Sequence, residues 1–235
     1  MRGSRLTLRS MLVLFDIDGT LLNSQGAGQS GFASAGQQLY GEHFTLEGIT
    51  LAGRLDRLIL NDALDHAKVP ATLRNEDRFR ATYVKAIREE FESGRRVCRP
   101  LDGALDLVGR VVKHSDMTCG LLTGNWCESG RIKLQAAGYA LDSFVVQSWA
   151  GDAEDRPGLV AVAIERWGMG QASDAIIVGD TPHDVGCGRA HGCRTLAVAT
   201  GPCDRLTLDA TEADLVVDDL CNTDALMAWI EQQHV

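Results

Sequence analysis

The stretch LVLFDIDGTLLN, residues 12–23, decides how the rest of the chain is read. Leu12 to Phe15 is an unbroken apolar run of the kind that fills a strand buried on both faces. Two acids, Asp16 and Asp18, follow one residue apart, and Gly19-Thr20 then turns the chain. Side chains alternate along extended backbone, so both carboxylates project to one side, beyond the end of the strand. In open α/β sheets that crevice is where ligands bind. Two unit charges 4 Å apart repel by about 4 kcal/mol at an effective dielectric of 20, and a divalent cation or a shared proton would relieve this. Taken alone, the pair reads equally well as a solvated acidic turn.

The downstream pattern separates these readings. Asn23 to Gly36, rich in Gly, Ser, Gln and Ala, suits a mobile linker or a small-residue helix. From Phe32 to Glu92 the spacing is helical, with helices expected over Leu51–Leu64 and Asn75–Phe91. After Pro100, short β-rich runs alternate with helical ones. Strands are expected over Met117–Leu122, Phe144–Gln147, Ala175–Val178, Thr195–Ala199 and Leu215–Val217. Helices are expected over Asp102–Val112, Glu128–Ala137, Pro157–Trp167, His183–Ala190 and Thr223–Gln232. This alternation predicts an α/β fold with a doubly wound parallel sheet and a helical insertion after its first strand.

Parallel strands place their carboxyl ends on one side. The first would deliver Asp16 and Asp18, the second Thr123 beside Gly124 and Asn125, and a later one Asp180, with Asp184 one helical turn on. A helix start adds Arg156, followed by Pro157. Carboxylates, a hydroxyl and a fixed cation around one crevice form a phosphoryl-transfer inventory. Oxygen ligands of this kind suit Mg²⁺.

DIDGT at 16–20, LLTGN at 121–125 and GDTPHD at 179–184 together resemble the first, second and fourth motifs of the haloacid dehalogenase superfamily of phosphotransferases and phosphatases. At the third motif, where the family carries Lys-Pro, this chain has Arg156-Pro157; arginine keeps the charge and adds a planar fork. Lys133 is the rival cation. The resemblance implies a phosphoglycolate-phosphatase-like core over residues 11–23 and 96–235, with a small α-helical cap over 24–95 and an extension over 1–10. It implies that Asp16 is the nucleophile and that Asp18 is the general acid/base. Thr123 and Arg156 would hold the transferring group, and Gly124, Asn125 and Arg54 would contact substrate. Asp16, Asp18 (through its carbonyl), Asp180 and Asp184 would hold Mg²⁺. Asp18 favours phosphate esters over haloacids, because an alkoxide leaving group needs a proton and a halide does not. The implied activity is hydrolysis of a small phosphorylated metabolite; the alternatives are a sugar-phosphate mutase and a non-catalytic phosphate-binding module.

The 235 residues carry a net charge of −9, which disfavours nucleic acid or an anionic membrane as a partner. The basic opening MRGSRLTLRS lacks the apolar core of a secretory leader, reads as a flexible extension or an expression remnant, and leaves Met11 as an alternative start. Seven cysteines without a CxxC pair suit reduced thiols in a cytoplasmic protein rather than a zinc site. A monomer or homodimer is expected. Trp126 is expected either to line the pocket or to pack, and the histidines form no constellation.

Overall fold

The computed structural model describes residues 10–233, so the expected extension, Ser10 apart, and His234 lie outside the described residues. Among the described residues, six parallel strands form the main sheet in the order β5-β4-β1-β6-β7-β8. They are β1 (Met11–Phe15), β4 (Met117–Leu122), β5 (Val146–Ser148), β6 (Ala175–Gly179), β7 (Arg194–Val198) and β8 (Leu215–Val217). Two further strands, β2 (Leu22–Asn23) and β3 (Arg99–Pro100), pair antiparallel as a small ribbon.

β1 lies between β4 and β6, and its apolar run is buried on both faces. Met11, Val13 and Phe15 face a core shared with α4 (Ala104–Lys113), α5 (Cys127–Ala136) and α9 (Thr223–Gln232). Leu12 and Leu14 face the other core, with α6 (Arg156–Trp167) and α7 (Pro182–His191). Each such side chain contributes about 1.5–3 kcal/mol on burial. Phe15 pairs with Leu121 on one side and Val178 on the other, so the three central strands end level. The chain runs outward from β1 through β4 to β5 and then returns to β6, which makes the ends of β1, β4 and β6 the switch point of the sheet.

Between β2 and β3 the chain forms α1 (Ala27–Tyr40), α2 (Asp56–His66) and α3 (Leu73–Glu92). Thr72 caps α3 by accepting from the Asn75 N–H, and Phe79, Tyr83 and Ile87 line its buried face. Gly36 lets α1 sit against Phe44; a Cβ there would fall inside the ring. Phe32, Phe79, Tyr83 and Trp126 cluster with ring centroids 4.5–6.1 Å apart.

The sheet and its flanking helices match the sequence reading to within a few residues at most ends. Three local readings are corrected. The helix expected from Leu51 begins only at Asp56, because Gly53 takes a φ of +68° and residues 51–55 run as a loop against the ends of the sheet. The β2–β3 ribbon was unforeseen, since two-residue strands leave no periodicity. So was α8 (Arg205–Asp209), a single turn capped by Asp204. No helix among the described residues is long and apolar enough to cross a membrane.

Candidate active site

The turn after β1 sets the first two acids. Gly19 holds a φ of +80°, and the N–H groups of Leu21 and Leu22 close on the Ile17 carbonyl at 2.9 and 3.0 Å. Ile17 points into the core, which leaves Asp16 and Asp18 together on the crevice side. A cavity of about 500 Å³ opens there. Strand-end residues form its floor, and Gln29, Phe32, Leu51, Arg54 and Ile59 from the segment between β2 and β3 contribute to its wall.

Asp16 is 6% exposed, and its Oδ2 lies 3.3 Å from Arg156 Nη2. Burial pushes its carboxyl up to about 6, with Arg156 pulling the other way and Asp184 adding to the rise. Arg156 is the first residue of α6, a helix started by Asp155, which accepts from the Gly158 N–H at 2.8 Å, and by Pro157 in the first turn. From there Nη2 reaches Asp184 as well as Asp16, and Nη1 donates to the Gly53 carbonyl at 2.9 Å. One guanidinium thus bridges the acid after β1, an acid in the first turn of α7 and the loop before α2. Burial would lower the proton affinity of Arg156, but Asp184 and Asp16 more than offset this and hold it charged.

Asp180 directly follows β6, and its Oδ1 accepts from Thr20 Oγ1 at 3.1 Å. Its carboxyl is raised well above the ordinary range, first by burial and then by Asp184 and Asp16. Asp180 Oδ2 and Asp16 Oδ1 are buried without a hydrogen-bond partner among the described residues. Oxygens of Asp16, Asp180 and Asp184 lie within 4.8 Å of one another. Two orphaned carboxylate oxygens in an all-oxygen cluster fit a hard divalent cation, which would satisfy both at once. Gly19 and Gly201 flank Asp180 so closely that a Cβ on either would overlap its carboxylate. Asp184 has both oxygens engaged, one by Arg156 and the other by the N–H and hydroxyl of Thr181 at 3.1 and 2.7 Å, in a capping box that starts α7.

Thr123 is fully buried beside Asp16, whose carboxyl its side chain helps to hold down, and its Oγ1 accepts from Asn125 Nδ2 at 2.9 Å. Gly124 and Asn125 line the cavity. Gly124 meets the loop before α2, where a Cβ would overlap the Arg54 carbonyl. Arg54 lies on the cavity wall with its guanidinium on Asp62 at 2.6 Å. Trp126 is 1% exposed and packs against Phe32, so of its two expected roles it takes packing. His183 is exposed beside Gly53.

Asp18 is held differently from Asp16. Its Oδ2 accepts from Lys133 Nζ at 2.6 Å and from Asn125 Nδ2 at 2.9 Å, and its Oδ1 meets Ser24 Oγ at 3.4 Å. Lys133, the rival for the third-motif role, therefore serves the second acid, while Arg156 serves the first. Sequence reasoning did not foresee this pairing, nor Asp56, whose Oδ2 accepts from the Trp126 N–H at 2.9 Å. Asp56 is pushed up to about 6 by burial, against the pull of Lys133. The available signal for Lys133 was its place on the face of α5 that carries Leu134 and Gly130.

The family model described as haloacid dehalogenase-like hydrolase matches residues 13–198. No curated protein matches the sequence significantly. Among solved structures, a predicted phosphoglycolate phosphatase from Haemophilus somnus 129pt is 17% identical with a TM-score of 0.66, over 94% of this chain and 99% of that one. CbbY from Rhodobacter sphaeroides, in complex with phosphate, is 15% identical with a TM-score of 0.70, over 91% and 96%. A protein provisionally assigned as a beta-phosphoglucomutase, from Bacteroides vulgatus, is 18% identical with a TM-score of 0.67, over 96% and 90%. At these identities the likeness is one of fold.

Proposed function

This chain belongs to the haloacid dehalogenase-like hydrolase family, and on that premise we propose that it hydrolyses a small phosphate monoester through an aspartyl-phosphate. The observation that carries the reading is the division of labour on β1. A buried arginine holds Asp16, a separate lysine–amide pair holds Asp18, and both acids face one cavity of about 500 Å³. A nucleophile and an acid/base need distinct environments, and here each acid has its own.

In the first step a carboxylate oxygen of Asp16 attacks phosphorus. The bond from phosphorus to the ester oxygen breaks, and the Asp18 carboxyl gives its proton to the departing alkoxide. In the second step Asp18, now a carboxylate, takes a proton from water as the water oxygen attacks phosphorus. The acyl-phosphate P–O bond breaks, and Asp16 is regenerated with inorganic phosphate released. Arg156 offsets the charge carried on the transferring group. Asp16, Asp180 and the Asp18 carbonyl would hold Mg²⁺, with Asp184 holding it directly or through water while it orients Arg156 and the start of α7. The ion, when bound, supplies a Lewis acid to the phosphoryl oxygens. Gly124 and Asn125 line the phosphate end, and Arg54, whose backbone abuts Gly124, is a substrate contact.

The helices over residues 24–95 act in this reading as a cap that excludes water and bulky substrates. A small phosphorylated metabolite of the phosphoglycolate type is the substrate class, handled by a monomer or homodimer. A mutase would use the same residues, and the fold likeness to the Bacteroides vulgatus protein makes it the second reading. Release of inorganic phosphate from a panel of small esters, with Mg²⁺ or EDTA, tests the proposal, with Asp16→Asn as the blank. Release that needs both Mg²⁺ and Asp16 supports hydrolysis. Isomerised phosphate ester without phosphate release would favour the mutase.

A further inference from the structure

Lys133 is a lysine that the four motifs do not use, yet its side chain is only 5% exposed. A buried ammonium is costly unless it is paired and hydrogen-bonded. Here Nζ donates to Asp18 Oδ2 and to Asn125 Oδ1, both at 2.6 Å. Burial lowers its proton affinity, but Asp18, Tyr83 and Asp56 outweigh this and keep it charged. Gly28 of α1 closes over the ammonium: a Cβ there would stand 3.0 Å from Nζ.

The contacts on Asp18 are one-sided. The ammonium and the Asn125 amide both bind Oδ2, whereas among the described residues Oδ1 has only the long approach of the Ser24 hydroxyl at 3.4 Å. A carboxyl whose Oδ2 faces two donors carries its proton on Oδ1. Its side chain is otherwise 40% exposed, and Asp18 lines the cavity. We propose that Lys133 is the positioning residue for proton transfer: with Asn125 it pins Asp18 through Oδ2, so that Oδ1 is the atom that exchanges the proton with the leaving oxygen. This rests on the phosphatase reading above.

If so, the lysine matters only when the leaving group needs a proton. The test compares 4-nitrobenzyl phosphate, which leaves as an alkoxide, with 4-nitrophenyl phosphate, which leaves as a stabilised phenolate. Both are measured by kcat/KM with Mg²⁺, because that constant reports the first step. Lys133→Met should lower kcat/KM for the benzyl ester by about 10²-fold or more, and for the phenyl ester by less than about fivefold. In an Asp18→Asn background, Lys133→Met should add no further loss on the benzyl ester, since both changes remove one function. Should the single variant fail to fold, Lys133→Met/Asp56→Asn removes the buried acid left without its cation and should show the same selectivity. Equal losses on the two esters, or none, would overturn the positioning role while leaving the phosphatase reading intact. Absence of phosphate release from either ester by the unaltered protein would instead overturn that reading, and this inference with it.

Discussion

Replacing Arg156 by methionine keeps the bulk of the side chain and removes the charge that bridges Asp16, Asp184 and the Gly53 carbonyl. The Asp16 contact alone, at 3.3 Å, corresponds to about 5 kcal/mol of attraction at an effective dielectric of 20. The desolvation of the guanidinium offsets part of this, and measured losses on breaking buried pairs are about 3–5 kcal/mol. Arg156→Met should therefore lower stability by that amount in urea unfolding with EDTA present, with the midpoint moving and the slope unchanged. Three clustered acids would then lack their cation, so added Mg²⁺ should raise the stability of the variant more than that of the unaltered protein, by binding only the folded state. A loss below about 1 kcal/mol, or a variant no more responsive to Mg²⁺, would refute the view that this guanidinium neutralises the cluster.

Two glycines give sharper local tests. Gly201→Ala puts a methyl group onto the Asp180 carboxylate and should weaken Mg²⁺ binding by at least about tenfold, read by calorimetric titration; unchanged affinity would place the cation away from Asp180. Gly36→Ala would ordinarily stabilise a helix interior by up to about 1 kcal/mol, but the new Cβ falls within the Phe44 ring. Overpacking should win, with a net loss of about 1–3 kcal/mol in thermal or urea unfolding.

What the sequence by itself determined is the architecture of the sheet and the identity of the acids. The run Leu12–Phe15 can be satisfied only by burial on both faces, and the period-2 geometry of a strand then places Asp16 and Asp18 on one side. Asp180 and Arg156 were legible for a related reason: each stands where a strand ends or a helix begins, next to glycine or proline. These are local constraints, and local chemistry suffices to read them. Which cation serves which acid was not legible. Lys133 lies 115 residues from Asp18, and Arg156 reaches Asp16 only because α6 begins beside the end of β1. Residues 51–55 have the apolar spacing of a helix, yet the approach of Gly53 and Arg54 to the ends of the sheet, with Gly53 in a left-handed conformation, holds them as a loop. Periodicity records how a segment meets its own core. Contacts between distant segments depend on where the whole sheet has already placed each end, and so only the tertiary structure decided them.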